Sequence, residues 1–155
     1  AALAPNGTFE WQWGGLYLHG DCQSRSQVFA LRGDQVLEAH TFQVDCIPAG
    51  ATVIFNVDGT QAGLTNMSLE SLAPYQSTTL FNFYQAQTLT LAGIGIRGSV
   101  LAPFAHVDQP QGVAYGTIIA RSWDGPMELH KVPFRGVGTG DFCPLYPIAL
   151  PHSLK

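Results

Sequence analysis

Apolar and polar residues alternate in short runs along most of the chain, the period-2 signature of half-buried strands. Thr8-Phe9-Glu10-Trp11-Gln12-Trp13 alternates polar and aromatic and stops at Gly14-Gly15. Further strands are predicted at residues 16–19, 28–31 and 36–44, broken by Gly20-Asp21 and Gly33-Asp34. Ile47-Pro48-Ala49-Gly50 reads as a turn, and the strongest strand, residues 51–57, follows it and closes at Asp58-Gly59. A loop-rich stretch is expected over residues 60–77, with one helical turn at 67–72. Strands resume at 78–83, 88–91, 94–96 and 99–101. Ala102-Pro103 reads as a break, leading into a loop through Val107 and Gly112. Residues 116–120, 127–130 and 132–134 are the last predicted strands.

One spacing within this pattern bears on architecture. The apolar pairs Leu80-Phe81, Val100-Leu101 and Ile118-Ile119 recur at offsets of 20 and then 18 residues. A chain that winds once per such interval stacks these pairs in a ladder, with neighbouring strands about 4.8 Å apart. The expected fold is therefore all-β: a right-handed β-helix-like solenoid with short coils of about 20 residues. A β-sandwich with a strand every 8–12 residues or so is the alternative. Residues 1–7 form an N-terminal arm, 8–136 a single β domain, and 137–155 a Pro-rich tail with Pro144, Pro147 and Pro151.

Composition narrows the classes. The 155 residues are 46% hydrophobic but only 12% charged, about half the usual charged share. Glycine (17) and proline (10) are spread along the chain, as many short strands and turns require. A net charge of -4 and seven scattered Lys and Arg argue against a nucleic-acid partner. No apolar run approaches the roughly 18 residues of a membrane-spanning helix. Cys22, Cys46 and Cys143 lack the Cys-x-x-Cys spacing of zinc or redox sites. Cys22 and Cys46 are candidates for a disulfide across neighbouring strands, with Cys143 left over. Asn6-Gly7-Thr8 and Asn66-Met67-Ser68 are glycosylation sequons.

Five ordered elements carry a family resemblance. They are the run from Pro48 to Gly59 (PAGATVIFNVDG), Leu80-Phe81-Asn82-Phe83 with Ala86, and Gly98-Ser99-Val100-Leu101-Ala102-Pro103. Gly116-Thr117-Ile118-Ile119-Ala120-Arg121-Ser122 follows, and then Glu128-Leu129-His130 with Pro133-Phe134-Arg135-Gly136. Over about residues 48–136 the chain resembles the choice-of-anchor A domain, a family of secreted and surface modules. The family's glycine-rich opening strands have no evident counterpart before Thr8. The resemblance implies an extracellular or cell-surface module that serves adhesion or assembly, with no cofactor and no catalytic residues. It gives Asn56, Asn82, Ala102, Pro103, Gly116, Glu128, His130, Phe134 and Gly136 structural roles. If the domain is short, its bare end needs a cap or a partner. The expected partner is another copy, through end-to-end stacking or exchange of the strand bearing Phe9, Trp11 and Trp13.

Other residues carry candidate chemistry. Glu128 and His130 share a strand face and could act as an acid–base pair. No supported nucleophile accompanies them, so a hydrogen-bonded pin for the last strand is the expected role. His106 and Asp108 with Asp58 or Asp124 could ligate a metal, but no metal-binding motif surrounds them. Arg32-Gly33-Asp34 matches the integrin-binding tripeptide on a turn where Gly and Asp are expected anyway. Asn56 and Asn82 are expected to point inward and to stack as an amide ladder. Trp11, Trp13 and Tyr17 could form a platform for a glycan or matrix ligand, although half the set is expected in the core. Ice binding would need a flat threonine array, and Thr88-Leu89-Thr90 is the only such repeat.

Overall fold

The computed structural model describes residues 3–136. The expected Pro-rich tail, with Cys143, lies outside the described residues. The first of three sheets holds β1 (Thr8–Gln12), β2 (Gly15–His19) and β4 (Thr41–Asp45). A large sheet runs β3 (Ser26–Leu31), β5 (Thr52–Val57), β7 (Thr79–Asn82), β10 (Ser99–Asp108), β8 (Thr88–Ala92) and β6 (Gln61–Thr65), and β12 (Ile118–Asp124) also pairs with β10. The third sheet holds β9 (Ile94–Arg97), β11 (Gly112–Tyr115) and β13 (Glu128–His130). Helix α1 (Gly33–Glu38) and a 3-10 helix (Glu70–Tyr75) complete the described elements.

The all-β expectation holds, and the pairing is parallel throughout the described residues except between β1 and β2. Strands pair with strands about one circuit earlier in the chain, as β4 does with β2, β5 with β3, β7 with β5, β8 with β6, β11 with β9 and β13 with β11. Two helical segments stand where a strand would otherwise fall. The 3-10 helix lies between β4 and β9, where the Ser71 hydroxyl donates to Phe42 O and accepts from Val44 N–H. Helix α1 lies beside β6, and the Thr65 hydroxyl donates to Leu37 O.

In-register pairing sets like residue on like. Phe29, Phe55 and Phe81 recur every 26 residues along β3, β5 and β7. Their rings stack with centroids 5.3 and 5.0 Å apart, and Phe42 meets Phe55 edge-on at 5.2 Å. Val100 continues the column on Phe81, and Ile118 sits on Val100, 18 residues on. The sequence offsets of 20 and then 18 imply coils of about 20 residues, whereas the first circuits take 26. The Val100-Leu101 and Ile118-Ile119 pairs stack as predicted, but Val100 pairs with Phe81 and not with Leu80. Only one member of each pair points inward, so Phe81 and Val100 are buried while Ile119 is exposed.

Several predicted elements differ. Residues 36–44 hold the end of α1 and then β4, not one strand. Asp34, Gln35 and Glu38 break the period-2 pattern, and Val36 is the side chain that enters the core. Within the expected loop at 60–77, β6 forms on the inward pair Ala62 and Leu64. Pro103 does not end its strand: β10 bends there and runs on to Asp108, with a register shift between Ala102 and His106. Strand β11 falls where a loop was expected, and residues 132–134 form no strand. They cross the outer face instead, with Phe134 beside Leu80, Leu101 and Ile119 and the Arg135 N–H donating to Ser77 O at 2.6 Å.

Gly116 shows how tight the stacking is. A Cβ there would sit 2.1 Å from the Gly98 carbonyl oxygen. We expect Gly116→Ala to cost about 1–3 kcal/mol through forced backbone movement. Phe55→Ala, at the centre of the aromatic column, should cost about 3–5 kcal/mol. Urea unfolding of each variant checks both values, and a Phe55→Ala protein as stable as the parent would refute the column's role.

Candidate binding surfaces

At the amino-terminal end of the stack each face carries a covering segment, with β1 as the outer strand of its own sheet. Strand β1 folds back on β2 through a two-residue turn in which Trp13 and Gly14 both have positive φ (48° and 73°), the geometry of a type I′ hairpin. Beside it, Asn6 and Gly7 N–H both donate to Val28 O, at 3.1 and 3.0 Å. Residues expected in a loose arm therefore cover the edge of β3. Helix α1 covers the edge of β6.

The Asn6 side chain is consumed in this closure. Its amide donates to Asp21 Oδ2 and Ser26 O, both at 2.9 Å, and its carbonyl accepts from Val28 N–H at 2.7 Å. Both amide protons are engaged, so this sequon offers no free nitrogen in the folded chain. Asn66 lies exposed on a turn, at φ 48°. Cys22 and Cys46 form a disulfide, and Cys22 N–H also donates to Cys46 O.

The carboxy-terminal end is open among the described residues. Ile118, Ala120, Trp123 and Met127 pack against the core from above but are only partly buried. Leu129, paired with buried Ala114, is 56% exposed. A cavity of about 270 Å³ lies among Ile118, Ala120, Ser122, Trp123 and Leu129. Gly136, the last described residue, lies against Thr52 on β5, three strands away from this end.

The remaining candidates fall on the outer faces. Glu128 accepts from His130 Nε2 at 2.6 Å. His130 stacks on Tyr115 at 4.8 Å, and Arg97 lies 4.3 Å over the other side of that ring. Arg97 is anchored in turn on Glu70 at 2.6 Å. The Asn82 amide donates to Asn56 Oδ1 at 2.8 Å. This ladder runs along the outer side, not inward, because Val53, Phe55 and Val57 take the inward positions. Ala102 is buried, while Pro103 is exposed at the bend of β10. A Cβ on Gly136 would strike the Phe134 ring and Thr52, so the small residue lets the crossing segment lie flat.

His106 Nδ1 meets the Ser122 hydroxyl at 2.8 Å. Among the described residues no group of three or more His, Cys, Asp or Glu is placed to hold a metal ion. The aromatic expectation needs correction: Trp11 is 37% and Trp13 85% exposed, because the hairpin carries them past the end of the core. Arg32 and Asp34 bind each other at 2.5 Å, so the tripeptide presents no separated charges. They line a cleft of about 520 Å³ with Asp58, Gly59, Thr60 and Gln61 that the sequence had not marked. Its only sequence signal is Gly-rich turns recurring on one side of successive strands.

Fold and surfaces together define an all-β module of largely parallel ladders, covered at its amino-terminal end and open at the other among the described residues. The chain matches, over residues 1–131, the family described as "Putative Ice-binding-like adhesive domain", and it belongs to that family. The match supports an adhesive-type module without singling out the choice-of-anchor A domain, and it includes the 47 residues before Pro48 that the motif resemblance left out. No curated protein and no solved structure matches the chain. No helix among the described residues is long and apolar enough to cross a membrane.

The closed end carries a pH signature. Hydrogen bonds from the Ser24 hydroxyl, the Gln27 amide and the Ser24 and Gln23 N–H groups hold the Asp21 carboxyl far below the usual carboxylate range. A depressed folded pKa stabilises the protein above the unfolded value of about 3.9, and the gain is lost as pH falls below it. Asp21→Asn should therefore flatten the loss of stability on the acid side. Thermal melts of both proteins between about pH 5 and pH 2 test this, and parallel curves for the two would refute it.

Proposed function

We propose that this chain is a non-enzymatic adhesive module of the cell surface or extracellular matrix, built as a β-solenoid and coupled to a second copy through its open end. The contrast between the two ends carries the reading. Backbone groups at the amino-terminal edge are taken up by β1 and by Asn6 and Gly7, and α1 packs along β6. At the other end β12 and β13 are outer strands above a partly exposed core. An unprotected edge with apolar side chains is a template for further pairing, and repeat architectures need a cap at each end.

Parallel pairing between strands about one circuit apart supports a solenoid, since sandwiches are built from antiparallel sheets. Family membership supports adhesion, and the ordered motifs that resemble the choice-of-anchor A domain point the same way. A disulfide fits an oxidising, extracellular setting. Threonines 88 and 90 lie beside Gln61, Gly63 and His106, not beside further threonines, so ice is not the proposed ligand. Exchange of β1 would first have to break its five pairs with β2. Pairing of open ends needs no such opening, and it covers both exposed cores in one self-complementary contact.

Sedimentation across a dilution series, with negative-stain microscopy, tests the coupling. We expect a concentration-dependent dimer that Leu129→Lys and Ala120→Pro reduce to monomer without lowering the melting temperature. A parent protein that stays monomeric at millimolar concentration would overturn the coupling, and leave a module that adheres as a single copy.

A further inference from the structure

We propose that the corner between the two halves of the large sheet binds a neutral oligosaccharide. The site is the cleft at Arg32, Asp34, Asp58, Thr60 and Gln61, together with the exposed rings of Tyr84 and Phe104 beside it. The proposal rests on the adhesive reading and supplies the class of ligand.

Ladder register builds the corner. Asp58 N–H donates to Leu31 O and Gly33 N–H donates to Asp58 Oδ1, both at 3.1 Å, which sets Arg32 beside Asp58. Asn56 pairs with Asn82, so Tyr84 follows at the same corner one strand on. Gly59 N–H donates to Gln85 Oε1 at 3.1 Å and ties the two turns together. Asn82 pairs with Leu101, which brings Pro103 and Phe104 to the next position. Arg121 lies beyond them, between the Ala102–Ala120 and His106–Ser122 pairs. Five strands at about 4.8 Å make a row of about 19 Å, long enough for several pyranose rings.

The chemistry of this row suits a sugar. Arg32 and Asp34 hold each other through two bonds, at 3.1 and 2.5 Å, which balances the guanidinium's charge and fixes its plane. Asp58 Oδ2, the Thr60 hydroxyl and the Gln61 amide make no bond within the described residues and line the same cleft. Planar acceptors and donors grouped in this way pair with the vicinal hydroxyls of a sugar, and a few such groups fix its orientation. Tyr84 is 43% and Phe104 59% exposed. Rings held in solvent offer flat apolar faces for the C–H side of a pyranose. With Asp34 and Asp58 set against Arg32 and Arg121, the row carries no excess charge, which favours a neutral ligand over an acidic one.

The test is titration of the isotopically labelled, full-length protein with cellohexaose, maltohexaose, chitohexaose and an acidic alginate hexamer. Amide shifts are followed on Leu129→Lys protein, so that assembly does not enter. We expect a neutral hexamer to shift the amides of residues 32–34, 58–61, 84–85 and 104–105. Tyr84→Ala and Phe104→Ala should each weaken that binding by about tenfold with unchanged circular dichroism, and Asp58→Asn should also weaken it. No response to any neutral hexamer at millimolar concentration, binding of the alginate alone, or shifts indifferent to Tyr84→Ala and Phe104→Ala would overturn the proposal. Failure here with dimerisation intact removes the corner site and leaves the coupling. Failure of dimerisation with sugar binding intact does the reverse.

Discussion

Parallel, in-register pairing is the constraint from which the rest of this protein follows. It places each strand residue against the residue one circuit earlier, so a side chain that suits the core at one level is repeated at the next. The column of Phe29, Phe55, Phe81, Val100 and Ile118 is that rule at the centre of the molecule. The ring of Arg97, Tyr115 and His130 is the same rule on the outside. Stacking also forbids bulk at the corners, where backbones approach most closely, and Gly98 and Gly116 meet that demand. Aromatic stacks of this kind contribute about 0.5–1.5 kcal/mol per pair beyond the area they bury, so the large rings at the centre matter more than any surface ion pair.

The same constraint creates the problem of ends. A stack pairs every strand except the first and the last, and those two must be handled by something other than the repeat. At the start of this chain three unrelated devices are used: a hairpin, a short pairing segment and a helix. Asn6 and Asp21 tie the pairing segment to the turn between β2 and β3, each through several hydrogen bonds, and the Cys22–Cys46 bridge secures the adjacent corner. Closing a loop of this length lowers the entropy of the unfolded chain by an amount worth about 3 kcal/mol. Comparable devices are lacking at β12 and β13 among the described residues. The asymmetry matters because a module closed at both ends has only side-chain surface to offer, whereas an open end also offers backbone.

Much of this was legible in the sequence, and the gaps have physical causes. Strand β5 was evident because Thr52 to Val57 alternates cleanly and Pro48, Gly50 and Gly59 punctuate it. The stacking of β10 on β12 was evident because both carry an apolar pair at the same phase. The longer spacing of the first half was hidden, since helical segments take the place of strands there and break the local period. Strand β6 was missed because Gly63 at its centre reads as loop, although the glycine is needed where the Thr90 backbone passes close by. Pro103 read as a break, yet a bend between two faces is where a strand tolerates proline. The Asn56–Asn82 bond was foreseen and its side of the sheet was not, since inward and outward differ by one residue of phase. The corner cleft was invisible because its residues come from separate turns and meet only through register.

Register also bears on how such a chain acquires function. Inward positions are fixed by the column they stack on, and strand faces are fixed by alternation. Corner residues lie outside both rules: they must turn the chain, but their side chains point into solvent and are free to vary. Register nevertheless delivers them in a straight row with a constant step. A low overall charge leaves such a row unobscured by competing ion pairs, and Arg32 is already satisfied by Asp34. The repeat that builds the core thus supplies a ruler on its surface, and a ligand with its own repeat is the kind such a ruler can measure.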